Sequence, residues 1–388
     1  KLPTLETIIL DSYEDENESL LLLPKLRDFR ADNRRLPFES IVGRMTNLTR
    51  LEYEMARGQH STESLRLFTN LRILKISYSD LLDDSCFQAL SRLEVLKIDF
   101  LKRVTPHVFK HLPHLRQLRI GEMGPWEGWK SHFPLTTLSL TRLTLDCCCF
   151  DLDSLFSLDN LCHSLTRLSV RWCKQLTDSN LWNLTNLQNL QLQGKCPGVS
   201  AHSIARMMKL ERLELWYTPS VKLARLEPLA NRLRKLVYNA KYGIQVYGMK
   251  SLTNLTSLKL ESSNFEVEIS YLSSLSQLRS LGVQVYALDY SAADISKLVP
   301  NLRKLELDVT NFVTDQIGNL AYLEKLVLHE QEYASPHTIK TLTNLRFLHL
   351  PSGHEIRPGD ITHHTKLIHI REGINLISRR EFFNKYQG

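Results

Sequence analysis

Apolar residues recur along the whole chain in one frame, L-x-x-L-x-x-L-x-L, with mostly polar residues at the intervening positions. The frame is plain in residues 252–260 and 342–350, and it returns in 90–98, 112–120, 184–192, 299–307 and 320–328. Its third apolar position serves as a marker: Ile8, Phe29, Leu51, Leu74, Leu96, Leu118, Leu143, Leu168, Leu190, Leu213, Leu236, Leu258, Leu281, Leu305, Leu326, Leu348 and Ile370. Successive markers are 21–25 residues apart from one end of the chain to the other. The tail of each phrase alternates with period two, which predicts a short strand with one apolar face. The two earlier apolar positions, three apart, predict a turn of helix or 3₁₀ on the opposite side. One unit cannot bury its own leucines, but a stack of units can. Each unit buries about four aliphatic side chains at roughly 1.5–3 kcal/mol each, so neighbour contacts hold the array together.

This pattern resembles the leucine-rich repeat family over essentially the whole chain. The resemblance implies an α/β fold: a curved horseshoe of about 17 repeats of 22–25 residues, with a parallel sheet on its concave face. The segment from Leu168 through Cys173 to Asp178 is similar to the cysteine-containing repeats of F-box proteins, and the recurring Leu-Thr-Asn-Leu is similar to internalin repeats. Five residues after the marker, where the family formula has Asn or Cys, this chain has Ser79, Cys148, Cys173, Thr218, Ser263 and Thr310 in some units and larger residues in others. No asparagine ladder is expected there. Residues 1–388 read as a single repeat domain. The first phrase begins at Leu2 without a polar cap, so an upstream cap or domain is expected to be missing, and residues 371–388 are a candidate C-terminal cap with an amphipathic helix within 377–386.

Composition adds limits. Leucine accounts for 72 of 388 residues, and the formal net charge of +7 is too small to imply nucleic acid by itself. No apolar run approaches 18 residues, so no membrane span is predicted. Seven cysteines include the adjacent Cys147, Cys148 and Cys149, with no C-x-x-C pair, which favours a reducing, intracellular and cytoplasmic setting. Of four N-x-S/T sequons, at Asn17, Asn47, Asn183 and Asn254, three are Asn-Leu-Thr and follow from the repeat phrase. No G-x-S-x-G, P-loop, G-x-G-x-x-G or H-E-x-x-H motif occurs, so no enzyme, cofactor or metal is expected. His107, His111 and His114 lack an accompanying carboxylate or Cys and read as exposed histidines of the convex side, and His363, His364 and His369 are equally weak as metal ligands. The acidic stretch 11–18 reads as a solvated connection, and the loop with Trp126 and Trp129 as one folded back on the array or contacting a partner.

The strand frame places the residues before the marker, one after it and three after it on the concave face. The first of these columns holds Arg50, Arg142, Arg167, Arg212, Lys235, Lys304 and Lys325. The third begins with Asp11, Asp32, Glu54, Asp99 and Asp146, then turns to Arg171, Gln193 and Trp216. Aromatic residues gather at the strand exit: Tyr78, Phe100, Trp172, Trp216 and Tyr217. Trp, Tyr and Arg dominate interface hot spots. The expected partner-binding residues are therefore Arg142, Arg167, Arg171, Trp172, Arg212, Trp216 and Tyr217. The expected function is non-enzymatic recognition of a protein partner through the concave sheet, with nucleic acid disfavoured because acids interleave with the bases. What the F-box-type resemblance implies is the substrate-recognition part of a ubiquitin-ligase adaptor. The ligand-sensing region of an immune or signalling receptor, or a bacterial effector engaging a host protein, stands as the alternative.

Overall fold

The computed structural model describes residues 4–11, 23–32, 42–54, 63–121, 138–146, 152, 155, 159–240, 246–268, 270–289, 295–309, 317–329, 335–373 and 375–386. They fall into two compact units, residues 1–188 with 194–198, and residues 189–193 with 199–388. Cys147–Cys149, Trp126, Trp129 and all of the acidic stretch beyond Asp11 lie outside the described residues.

The first unit carries β1 (Thr7–Asp11), β2 (Asp28–Asp32), β3 (Arg50–Glu54), β4 (Ile73–Asp83), β5 (Val95–Arg103), β6 (Gln117–Ile120), β7 (Arg142–Asp146) and β8 (Arg167–Arg171). Consecutive strands pair in parallel, and every pairing sets marker against marker, from Ile8 opposite Phe29 to Leu143 opposite Leu168. In-register stacking follows from the side-chain period of two, because a one-residue slip would turn each leucine out to solvent. Burial alternates as the frame requires: in β3, Leu51 and Tyr53 are buried while Arg50, Glu52 and Glu54 face out.

The second unit carries β9 (Asn189–Gln193), β10 (Arg212–Trp216), β11 (Lys235–Asn239), β12 (Ser257–Glu268), β13 (Ser280–Asp289), β14 (Lys304–Asp308), β15 (Lys325–Leu328), β16 (Phe347–Leu350), β17 (His369–Glu372) and β18 (Asn375–Ser378). Markers again meet in register from Leu190 to Ile370. All seventeen markers are buried, none more than 9% exposed. One strand beyond the seventeen predicted, β18, folds back antiparallel on β17 through a turn with Gly373 at φ +53°. The helix Arg379–Lys385 follows, started by a capping box between Ser378 and Glu381, and it buries Phe382. The candidate amphipathic segment 377–386 is thus helical from its third residue to Lys385.

Opposite the strands run short elements, mostly 3₁₀, such as Glu63–Leu67, Pro106–His111 and Leu223–Leu229. A repeat near 22 residues leaves little chain after the strand and turns, and the 3₁₀ rise of about 2 Å per residue spans the distance with fewer residues than an α-helix. The Leu-Thr-Asn-Leu-Thr phrase has a structural purpose between repeats. Its Asn amide donates to a carbonyl one repeat back, from Asn47 to Pro24 (3.4 Å), Asn186 to His163 (2.9 Å) and Asn344 to Ala321 (2.6 Å). The threonine hydroxyl two positions on does the same, from Thr49 to Arg27 and from Thr256 to Arg234, both at 3.1 Å. These asparagine bonds, in three separate repeats, stand four residues before the marker rather than five after it. At the later position Ser79, Cys173 and Thr218 are buried, and Ser79 Oγ accepts from the Leu82 amide at 3.1 Å.

Candidate functional site

Strand alternation puts the predicted basic and aromatic residues on the face away from the leucine core. In the first unit, Arg142 and Arg167 are direct register partners on β7 and β8, and both are exposed. Arg171, four residues further along at the end of β8, is half-buried and turns toward Asp146, its Nε lying 3.6 Å from Oδ1. Asp146 is 8% exposed and also accepts from Arg119, through Nη2 at 2.9 Å and Nε at 3.0 Å. Arg171 is thus partly committed within the sheet, and Asp146 clamps two arginines from strands on either side of its own.

Trp172 leaves β8 with φ +57°, the left-handed region that a bulky L-residue adopts only at a cost of about 1–2 kcal/mol. Its indole lies over Gly194, where an added Cβ would sit 2.6 Å from Cε3. The ring remains 52% exposed. Tyr78 and Phe100, also four residues after a marker but within the longer strands β4 and β5, have φ of +62° and +51°. Their rings stack with centroids 4.6 Å apart and planes 14° apart. Tyr78, Phe100, Trp172 and Tyr217, each four residues after a marker, share one left-handed backbone conformation, a feature that residue type alone does not announce.

In the second unit Arg212 closes on Glu214 of its own strand, with Nε 2.7 Å from Oε1. The adjacent Lys235 is held below the ordinary lysine range, first by burial and then by the charge of Arg212. Trp216 is half-buried, and its Nε1 is buried without a hydrogen-bond partner among the described residues. It packs as part of the sheet rather than standing free as an anchor. Tyr217 has φ +58°, is 38% exposed and donates its amide to the Asn239 carbonyl at 2.9 Å. In one unit the structure thus sets Arg142 opposite Arg167 at the start of β7 and β8, with Arg171 and Trp172 at the far end of β8; in the other, Arg212 opens β10 while Trp216 and Tyr217 stand at its exit.

Sequence reasoning missed a polar chain further along the second unit. Asn239 donates to Glu261 at 2.7 Å, and Lys259 Nζ lies 2.8 Å from the other oxygen of that carboxylate. Glu306 is 3.9 Å from Lys259 and 3.8 Å from His329, whose ring meets His349 edge-on. These residues occupy the marker +1 and +3 columns, so counting the frame past Trp216 would have found them. His364 is fully buried, with Nε2 2.9 Å from the Ile339 carbonyl. Among the described residues no group of three or more His, Cys, Asp or Glu is placed to hold a metal, and no helix is long and apolar enough to cross a membrane.

No protein-family model matches the sequence, and no curated protein sequence does either. Solved structures do match. The TLR13–ssRNA13 complex aligns with a TM-score of 0.60 at 19% identity, covering 92% of this chain and 57% of that one. A leucine-rich repeat protein of Leptospira interrogans aligns at 0.51 and 17% identity, covering 92% of this chain and all of that one. The Drosophila Toll–Spatzle complex aligns at 0.50 and 17% identity, covering 89% of this chain and 54% of that one. This chain thus spans little more than half the length of the TLR13 and Toll chains. With the marker ladder, these likenesses establish a leucine-rich repeat solenoid.

Proposed function

We propose that this leucine-rich repeat chain is a non-enzymatic module that recognises a protein partner through its strand face, the concave side of such a solenoid, and the exit edge of that face. The observation that carries the reading is the left-handed backbone of Tyr78, Phe100, Trp172 and Tyr217. Glycine fits that conformation without steric cost, as Gly194 shows at φ +93°. Large aromatic residues there, with Trp172 and Tyr217 well exposed, retain local strain in exchange for apolar surface that water does not reward. Arg142 and Arg167 stand opposite each other in register where β7 and β8 begin, two basic side chains suited to carboxylates on a partner. Arg171 and Arg212 contribute less, because Asp146 and Glu214 already engage them. Trp216 supports the edge from below.

A protein partner fits better than a nucleic acid strand, since Asp146, Glu214 and Glu261 interrupt the positive columns. The single-stranded RNA and the Spatzle protein belong to the complexes of the similar structures. The Cys173 segment favours an F-box-type adaptor inside the cell as the specific form, with a receptor ectodomain or a bacterial effector as its competitors. The test is capture of partners from the native source, comparing the wild type with Trp172→Ala, Tyr217→Ala and an Arg142→Glu/Arg167→Glu reversal. Hot-spot behaviour predicts a loss of at least about 2 kcal/mol for Trp172→Ala with circular dichroism unchanged. Undiminished capture by all three variants would remove the strand face from the reading.

A further inference from the structure

A cleft of about 250 Å³ opens in the second unit, lined by Arg303, Tyr322, Glu324, Asn344, Arg346 and Lys366. It is distinct from the strand-face residues above, because its lining comes from the segments that enter the strands. Arg303, Glu324 and Arg346 each stand two residues before a marker. Their backbones are laddered by the Glu324 amide to Arg303 (2.8 Å) and the Arg346 amide to Glu324 (2.7 Å). Tyr322, Asn344 and Lys366 each stand four residues before a marker and form a second row beneath. The repeat therefore builds the cleft as two aligned rows from neighbouring units.

Its charges do not cancel. The lining holds three cations and one carboxylate, and that carboxylate is taken: Arg303 Nη1 lies 2.8 Å from Glu324 Oε1. Lys366 Nζ donates to Asn344 Oδ1, a neutral partner, and Asn344 spends its amide on the Ala321 carbonyl at 2.6 Å. The Arg346 guanidinium has no side-chain partner among the described residues, although Glu324 is next to it in the row. Two positive charges, one a planar fork and one a point charge, are left facing the same small space. Tyr322 beside them is 58% exposed, and Ile368, whose amide donates to the Arg346 carbonyl, is 57% exposed.

We infer that this cleft receives a phosphate monoester carried on an apolar stem, of the kind a phosphotyrosine side chain presents on a partner peptide. Two uncancelled cations match a dianion, and Arg346 can bond two of its oxygens at once. Size argues against a larger ligand, because sites for drug-sized molecules run from about 300 to 1,000 Å³. Exposed Tyr322 and Ile368 flanking the charges suit a group that is apolar behind its anionic tip, and they offer nothing to free phosphate.

Calorimetric titration of the whole chain with phenyl phosphate and with inorganic phosphate, at low salt, tests the inference. Phenyl phosphate should bind saturably, and more tightly above about pH 6, where the second phosphate proton is lost. Arg346→Gln and Lys366→Gln should each weaken it at least about tenfold, since each removes a charge-assisted contact. Tyr322→Ala should weaken phenyl phosphate and leave inorganic phosphate unchanged. All three side chains are exposed or at the cleft wall, so circular dichroism should not move. No saturation by about 10 mM phenyl phosphate, a level above the weakest affinity of interest, would overturn the inference. So would binding indifferent to both charge substitutions. Inorganic phosphate binding as tightly as phenyl phosphate would overturn assignment to a peptide side chain.

Discussion

Seating of the Trp172 indole on Gly194 makes a sharp test of the exit edge. Alanine at position 194 meets two separable costs. The first is backbone: φ at +93° is strained for any residue with a Cβ, at about 1–2 kcal/mol. The second is the ring itself. A Cβ there would lie 2.6 Å from Cε3 and 3.0 Å from Cδ2 of Trp172, far inside the usual carbon–carbon contact of roughly 3.5–4.0 Å. Those atoms lie in the body of the indole, so a rotamer adjustment cannot clear them and the ring must leave. About half of that large side chain is covered, so displacing it costs on the order of 1–2 kcal/mol of burial. Gly194→Ala should therefore destabilise by about 2–4 kcal/mol in the wild type, but by only about 1–2 kcal/mol in a Trp172→Ala background. The difference, a coupling near 1–2 kcal/mol, can be read from urea titrations of the four proteins followed by circular dichroism. Equal slopes across the set are required for the comparison, since repeat arrays can lose cooperativity. Strict additivity of the two substitutions would refute the seating, and a neutral Gly194→Ala would refute the left-handed backbone as well.

Leu258→Ala should cost about 2–5 kcal/mol by the same denaturation measurement, because this marker is only 1% exposed between neighbouring repeats. Lys259→Ala, one residue on, should cost no more than about 1 kcal/mol, since Glu261 keeps Asn239 as a donor when the ammonium is removed. A reversed order would put the strand frame off by one. Acid should loosen the C-terminal closure, and hydrogen-exchange protection in residues 369–386 would report it. Burial alone would raise the Glu372 carboxyl, but hydrogen bonds from Lys385, Tyr386 and His354 outweigh it and hold the group below its ordinary value of 4.5. A carboxyl lowered in the folded state contributes stability that is complete above the unfolded value and is lost as the pH falls through the folded one. Protection, corrected for intrinsic rates, should thus fall in the wild type as the pH drops below the ordinary carboxyl value, and fall less in Glu372→Gln, where the Glu381 cap is the lowered carboxyl that remains.

Much of this architecture could be read from leucine spacing, because the physics that sets the spacing is local and repeated. A residue such as Leu258 is buried whenever Leu236 and Leu281 stand one period either side, and the register pairs them so. Three features were not legible for three different reasons. The left-handed turn at Trp172 depends on how the chain leaves a parallel strand, and aromatic residues give no propensity signal for it. The bonds that Asn47, Asn186 and Asn344 give to the preceding repeat lie four residues before a marker, a place where the family formula puts no asparagine. The strand β18 has no marker and pairs antiparallel, outside the logic of the repeat.

The candidate binding residues teach a narrower lesson about charge. Read as columns, Arg142, Arg167, Arg171 and Arg212 looked equivalent, one basic stripe on a solvent-facing sheet. The sheet distinguishes them by what stands two residues along the same strand or one strand away. Glu214 is two residues from Arg212 on the same face, so the period of two that exposes both also pairs them. Asp146 stands one strand from Arg171 in register and takes it too. Arg142 and Arg167 stand opposite each other in register, and like charges directly opposite are disfavoured. A basic column on a parallel repeat sheet therefore points to a partner only after its in-register and i+2 acids are subtracted. By that rule Arg171 and Arg212, which Asp146 and Glu214 engage, count for less as partner contacts.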